Sequence, residues 1–455
     1  MKNQLIRVVC IFSLLLFIFN IAVGEPSFRE KIGQMVMVGF VGTTMPDSLA
    51  YDLSIRNLGG VLFFGYNCQN PTQIADLTES IKNQAETPPF IAIDQEGGRV
   101  ARLGVSNGFS KTPSAFQMGS DYNLEDSTRQ IAARMADWLS MCGINIDLAP
   151  VVDVNVNPRS PAIGALDRSF SSDAATVASH ASWFIDEFHR RDILMTLKHF
   201  PGHGSAVGDS HDGFTDISKT WTDSELAPYQ ELFSQGYDDI VMVGHLYNSQ
   251  IDSVYPASLS YNAITGLLRD SLGFNSVVIS DELFMRAITD TFSLKETVTL
   301  AINAGMDILL FKINLYEDRS LTAVVSDIIM EQIRDGAIDS TRIEDSFRRI
   351  TALKERSNGI AKKILPTTPD RYKLGVYPNP FNGQSFVSFA IPEFGRVRLS
   401  IYNLLGQKVT SLMDANMIPG NYRQQIDVKN LASGVYFITL ETPVKCYSRL
   451  ITIVK

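Results

Sequence analysis

A closed (β/α)8 barrel followed by a small all-β sandwich is the fold this sequence predicts, and three observations carry it. From residue 27 to about 360, eight apolar strand-like runs alternate with amphipathic helical stretches. The runs are nearly continuous in apolar residues, as strands of a parallel sheet buried on both faces must be. After Lys363 the pattern changes to short strands of alternating polarity separated by Gly, Asn and Pro.

In chain order the eight runs are Met35–Phe40, Gly60–Phe64, Phe90–Asp94, Ile144–Val154, Ile193–His199, Ile240–His245, Ser276–Asp281 and Met306–Phe311. The helical stretches between them include Pro71–Gln84, Asp126–Met141, Ala174–Arg190, Asp223–Gln235 and Leu294–Ala304. Eight strand–helix units over this length fit a closed barrel. An open doubly wound sheet is the competing arrangement, but no G-x-G-x-x-G follows the first strand. Pro366-Thr367-Thr368-Pro369 reads as a linker. Beyond it Phe386–Ile391, Val397–Tyr402, Tyr422–Val428, Val435–Leu440 and Leu450–Val454 read as strands of a short sandwich.

The 455 residues are 45% apolar and 20% charged with a net charge of −9, the profile of a soluble two-domain protein. No Lys/Arg run stands out, which argues against nucleic acid as a partner. Lys2 and Arg7 precede the largely apolar stretch Val8–Val23, and Ala22-Val23-Gly24 supplies small residues before Glu25. This reads as a cleaved signal peptide over residues 1–24, leaving no stable membrane span; an uncleaved anchor is the alternative. No Cys follows the apolar run, which argues against a lipid anchor there. Cleavage would leave Cys68, Cys142 and Cys446, too few for a disulfide framework. The barrel topology predicts Cys68 and Cys142 at opposite ends, too far apart to bridge. No spacing resembles a zinc site, and neither a metal nor a cofactor is expected.

The chemistry concentrates in Lys198–His211, K-H-F-P-G-H-G-S-A-V-G-D-S-H, which holds three of the six His of the chain directly after an apolar strand. Polar residues at the C-terminal ends of barrel strands converge on one site. Those ends carry Asp94 with Gln95-Glu96-Gly97-Gly98-Arg99, then Asp153, Lys198-His199, His245 and Ser280-Asp281-Glu282. Carboxylates, a Lys and His around a polar cup suit cleavage of a hydroxyl-rich ligand, which needs a nucleophile or base and an acid for the leaving oxygen. Asp281 ends Val277-Val278-Ile279 and is the nucleophile candidate; capping the next helix is its structural alternative. Glu282 should point elsewhere, since side chains alternate along a strand. His211 can give and retake a proton near neutral pH. Asp209 would orient its ring and stabilise the charged form, on a loop framed by Gly202, Gly204, Gly208 and Gly213 that can move over a substrate.

Taken together, Lys198–Gly204, Asp209-Ser210-His211, Asp94–Arg99, Asp167-Arg168-Ser169-Phe170 and Ser280-Asp281 resemble the bacterial β-N-acetylglucosaminidases of glycoside hydrolase family 3 over residues 27–360. The resemblance implies a retaining mechanism with Asp281 as nucleophile and His211, paired with Asp209, as general acid/base. It also implies sugar contacts by Asp94, Arg102, Arg168, Lys198 and His199. Internal ion pairing is the other reading of Arg102 and Arg168; His203 and Glu96 are expected to be structural, and His245 is left open. The family's loop usually carries a Pro soon after D-S-H, whereas Asp212-Gly213-Phe214-Thr215-Asp216 follows here, which puts the leaving-group contacts in doubt.

In the tail, Tyr377-Pro378-Asn379-Pro380-Phe381-Asn382, Tyr402-Asn403 with Gly406-Gln407, and Ala432-Ser433-Gly434-Val435-Tyr436 resemble the C-terminal sorting domain of proteins exported by the type IX secretion system. A carbohydrate-binding module is the alternative. The expected organisation is a signal peptide at 1–24, a catalytic barrel at 25–362, a linker at 363–371 and a sorting domain at 372–455. The expected function is an exported exo-β-N-acetylhexosaminidase, secreted or held at the cell surface, acting on chitin- or peptidoglycan-derived glycans. Its expected partners are the glycan and the type IX machinery. Another family 3 glycosidase, a phosphorolytic variant and a non-catalytic glycan-binding protein are the competing readings.

Overall fold

The computed structural model describes residues 26–357, except Tyr122 and His211, and residues 372–454, except 378, 383, 392–394, 418–419 and 429–430. The expected signal peptide and linker lie outside the described residues. The chain divides into two compact units, Met1–Asn358 and Gly359–Lys455.

The first unit is a (β/α)8 barrel. Its strands are β1 (Val36–Gly39), β2 (Gly60–Phe63), β3 (Phe90–Ile93), β4 (Ile146–Asp147), β5 (Leu194–Phe200), β6 (Ile240–Val243), β7 (Val277–Ser280) and β8 (Leu309–Phe311). Every residue in them is buried, which is why most read as nearly continuous apolar runs rather than alternating ones. They pair in the order β7-β6-β5-β4-β3-β2-β1-β8, all in parallel. The seam between β7 and β8 is drawn together by an Ile279–Ile308 bridge and by the Ser280 hydroxyl, which accepts the Leu310 N–H at 3.0 Å.

Local signals set the surrounding helices. Asn70 caps Pro71–Gln84, with Pro71 in the first turn where its missing N–H costs nothing. Ser293 and Glu296 form a capping box on Leu294–Ala304, and Gly305, at φ +116°, terminates that helix in the left-handed region. The expected strand Ile144–Val154 shrinks to β4 and a single bridge at Val151. Pro150 has no N–H to give a ladder, so the run continues as irregular chain.

Cys68 and Cys142 are both free thiols, but they are not at opposite ends as the topology predicted. The Cys142 carbonyl accepts the Thr78 hydroxyl at 2.6 Å, and its Sγ lies 4.0 Å from the Pro71 carbonyl, three residues from Cys68. The helix ending at Met141 thus packs along the helix that starts just after Cys68. Burial, and then the neighbouring Cys142, push the Cys68 thiol up to about 12.

At the opposite end of the strands from the site, Lys354 on the helix Ser340–Ser357 is buried. It donates to Gln34 Oε1 at 2.7 Å and to the Gly59 carbonyl at 2.8 Å, 4.6 Å from the Phe90 ring centre. Burial pulls this ammonium down to about 7 from an ordinary 10.5. The unfolded chain therefore binds more protons between those values, and stability rises as pH climbs through that window. Urea unfolding of wild type should show greater stability at pH 9.5 than at pH 7, and Lys354→Met should lose most of that difference. An unchanged pH dependence in the variant would contradict the assignment.

The second unit contains two antiparallel sheets around one apolar cluster that includes Val387, Leu399, Ile438 and Ile451. One sheet pairs β9 (Lys373–Tyr377), β10 (Gln384–Ile391) and β13 (Gly420–Asp427). The other orders β12 (Lys408–Met417), β11 (Gly395–Tyr402), β14 (Gly434–Glu441) and β15 (Cys446–Ile453). β9 and β12 were not anticipated. Both are edge strands, as are β13 and β15, which the sequence does announce.

Candidate active site

The site is assembled at the C-terminal ends of the barrel strands, beginning with the segment after β3. Asp94 and Glu96 are two residues apart and project to the same side, while Gln95 between them points away. Gln95 Oε1 accepts the Leu103 N–H at 2.8 Å and its Nε2 donates to the Leu103 carbonyl at 3.1 Å. The chain turns back through Gly97 and Gly98, at φ +98° and +60°, where an added Cβ would lie 2.4 Å from the Pro113 oxygen and 2.6 Å from Ser114 Cβ. Only glycine suits that hairpin, which returns Arg102 beside Asp94.

β5 supplies the centre of the site. Its register against β6 shifts between Leu197 and Phe200, with one extra residue on β5. A bulge of this kind re-aims side chains, and consecutive residues Lys198 and His199 both enter the site instead of falling on opposite faces. Lys198 Nζ lies 2.8 Å from Asp94 Oδ1 and 2.6 Å from Glu96 Oε1. His199 Nδ1 is 2.7 Å from Asp153 Oδ2, and its Nε2 is 3.2 Å from Arg168 Nη2. Because a guanidinium can only donate, this contact selects the tautomer with the proton on Nδ1, shared with Asp153.

Arg168 completes the network with a two-pronged grip on Glu96, Nε to Oε2 at 2.9 Å and Nη2 to Oε1 at 2.8 Å. Arg102 Nη2 donates to Asp94 Oδ2 at 3.0 Å. The structure thus brings Asp94, Arg102, Arg168, Lys198 and His199, all expected to contact sugar, into one connected array. Glu96 and Asp153 are equally part of it. Glu96, expected to be structural, bridges Lys198 and Arg168; its spacing of two from Asp94 puts it on the same side of the segment.

Burial works against every charge here, and the pairing overrides it. Burial opposes ionisation of Glu96, but Arg168 and then Lys198 hold its carboxyl down at about 2. Asp94 is also held below the usual carboxylate range, with burial opposed by Lys198 and then Arg102. Lys198 is raised above its ordinary value because Asp94 and Glu96 outweigh its burial. Asp153 is lowered by His199 against burial. Asp147, one layer beneath, is pushed well above the usual carboxylate range by burial. Three carboxylates (Asp94, Glu96, Asp153) therefore balance three cations (Arg102, Arg168, Lys198). The edge open to solvent is Arg102 and Asp94, whose side chains are 28% and 15% exposed, against 2–3% for Lys198 and Glu96. At its exposed edge the array therefore presents an acceptor, Asp94, beside a donor, Arg102.

Asp281 follows β7, with its N–H donating to the Val243 carbonyl at 3.0 Å. Its Oδ1 accepts the Glu282 N–H at 2.8 Å. Glu282 turns away, as alternation requires, and Oε1 accepts the N–H groups of Phe284 and Lys312 at 3.0 and 3.1 Å. His245 braces this corner: Nδ1 is 2.7 Å from Ser258 Oγ and Nε2 is 2.9 Å from the Glu282 carbonyl. Asp209 is partly exposed on the loop after β5. Its neighbour Ser210 is buried, with Oγ 3.3 Å from His203 Nε2. Burial lowers His203 to about 4, consistent with a neutral brace for its own loop. His211 lies outside the described residues.

Residues 27–353 match the model of the glycosyl hydrolase family 3 N-terminal domain, and residues 375–454 match that of the secretion system C-terminal sorting domain. The chain is 32% identical over 339 residues to β-hexosaminidase A of Pseudoalteromonas piscicida, covering 69% of this chain and 56% of that protein. It is 32% identical over 342 residues to β-hexosaminidase LpqI of Mycobacterium tuberculosis, covering 73% and 84%. A solved family 3 β-N-acetylglucosaminidase from Paenibacillus superposes with a TM-score of 0.69 at 33% identity, over 75% of this chain and 64% of that one. The chain thus spans little more than half the length of the first of these relatives.

Proposed function

Since the chain belongs to glycosyl hydrolase family 3, we propose that it is an exported, retaining exo-β-N-acetylhexosaminidase that releases terminal β-linked N-acetylglucosamine from chitin- or peptidoglycan-derived glycans. The observation that carries this reading is the buried, charge-balanced array of Asp94, Glu96, Arg102, Asp153, Arg168, Lys198 and His199 at the catalytic end of the barrel. Its relatives named as β-hexosaminidases support the same assignment. The sorting domain at 375–454 implies export through the type IX machinery. We place the mature protein outside the cell, released or held at its surface.

In the proposed reaction the Asp281 carboxylate attacks the anomeric carbon as His211, oriented by Asp209, protonates the departing glycosidic oxygen. The resulting glycosyl–Asp281 ester is then attacked by water, which gives its proton to His211 and frees the carboxylate. Asp94 and Arg102 hold ring hydroxyls at the open edge, with Lys198, His199 and Arg168 behind them.

The role of His211 has a distinctive test, because an acid matters most when the leaving group is basic. His211→Ala should lower kcat/KM on chitobiose by about 10²–10⁴-fold, and on 4-nitrophenyl β-N-acetylglucosaminide by at least about tenfold less, since nitrophenolate departs with little protonation. Equal losses on the two substrates would overturn this assignment. Faster turnover of wild type in inorganic phosphate, with a sugar 1-phosphate product, would replace hydrolysis by phosphorolysis.

A further inference from the structure

We propose that Glu225, which has no part in the chemistry above, is the positioning residue for the loop that carries Asp209 and His211. The inference rests on the assignment of His211 as the acid. Glu225 lies in the short helical turn Asp223–Leu226 and is fully buried. Its Oε2 accepts the backbone N–H groups of Gly204 and Ser205 at 3.0 and 3.3 Å. Among the described residues its other oxygen, Oε1, is buried with no hydrogen-bond partner.

The fit around this carboxyl is close on each side. A Cβ added at Gly202, where φ is +127°, would lie 2.6 Å from Glu225 Cβ and 2.9 Å from Oε2. On the opposite side, a Cβ at Gly204 would lie 1.7 Å from the Val154 carbonyl oxygen. Asn157 completes the clamp: its N–H donates to the Gly204 carbonyl and its Nδ2 to the Ala206 carbonyl, both at 3.0 Å. The base of the loop, residues 202–206, is therefore held between Glu225 and the chain after β4. Beyond it the loop emerges, with Val207 70% and Phe214 64% exposed. The His203–Ser210 contact carries the position of the base to the segment that bears Asp209.

Holding two amides with a buried carboxyl is an expensive solution. Burial, with Asp153 adding to it, pushes Glu225 up to about 7. What a long acidic side chain provides here is reach: one oxygen spans from a separate helical turn to two consecutive N–H groups. With its base fixed, the loop that bears Asp209 starts from one defined point. Releasing that point should harm the protonation step more than substrate binding.

The test compares Glu225→Ala and Glu225→Gln on chitobiose and on 4-nitrophenyl β-N-acetylglucosaminide. Glu225→Ala should lower kcat on chitobiose by about 10–100-fold with KM little changed, and kcat on the nitrophenyl substrate by less than about threefold. Glu225→Gln keeps an acceptor oxygen at the same reach and should recover most of the chitobiose activity. A residue that only supports folding would depress both substrates in proportion, and that outcome, or no recovery in Glu225→Gln, overturns the proposal. Should the alanine variant not fold, Glu225→Asp, with its oxygen withdrawn by one methylene, must show the same selectivity, and proportional losses there count equally against it. If His211→Ala itself lacks leaving-group selectivity, the fault lies in the assignment of the acid and is recognised as such.

Discussion

Asp281→Ala is expected to lower kcat/KM on 4-nitrophenyl β-N-acetylglucosaminide by about 10⁴–10⁶-fold while leaving the unfolding midpoint within about 2 °C of wild type. The contrast follows from where the residue sits. Asp281 stands one position past β7, on a backbone fixed by the Val243 carbonyl, and its side chain is only partly buried. Truncation removes a carboxylate from the cup without opening a hole in the barrel core. In the proposed double displacement the ester forms on Asp281, so its removal takes away the intermediate. The space vacated also provides a stereochemical check. Azide should restore part of the turnover in Asp281→Ala and give a glycosyl azide of inverted configuration. Substantial activity in the variant without azide would sink the mechanism.

Glu96→Gln should have the largest effect on stability of any change in the array, about 3–5 kcal/mol, together with a deep loss of activity. The glutamine keeps the shape but withdraws the negative charge shared by Lys198 and Arg168, both of which are nearly inaccessible to water. Two buried cations would then depend on Asp94 and Asp153 alone. The pH dependence gives a second readout. Glu96 is held at about 2 against an ordinary 4.5. Its contribution to stability is therefore present above pH 4.5 and lost as pH falls through about 2. Denaturant unfolding of wild type should weaken across that window, and the glutamine variant should lose less. A variant as stable as wild type at pH 7 would mean that the array does not depend on this carboxylate.

Much of the molecule was legible without coordinates. A strand buried on both faces must be apolar throughout, so eight such runs announced a barrel, and polar residues at their ends announced the site. Asp94, Lys198, His199 and Asp281 stand at strand ends and were accessible to that argument. So was the orientation of Glu282, which needs only the two-residue period of a strand. The sorting domain was legible from its turn motifs, although its edge strands β9 and β12 were not. β9 is only five residues long and carries a Gly at its centre, and β12 holds Thr410, Ser411, Asp414 and Asn416, which interrupt the apolar period.

What the tertiary structure alone decided are relations between segments distant in the chain. The joint entry of Lys198 and His199 into the site comes where the register between β5 and β6 shifts, and that shift is seen only once the strands are paired. Glu96 joins the array only because residues from two other segments, Lys198 and Arg168, converge on it. Cys68 and Cys142 approach because two helices pack at an offset that no periodicity encodes. Glu225 clamps a loop twenty residues before it. Local patterns record how a segment is buried, and so determine which elements form. Ion pairing, register and loop anchoring depend on which segments meet, and that is determined only when the whole barrel closes.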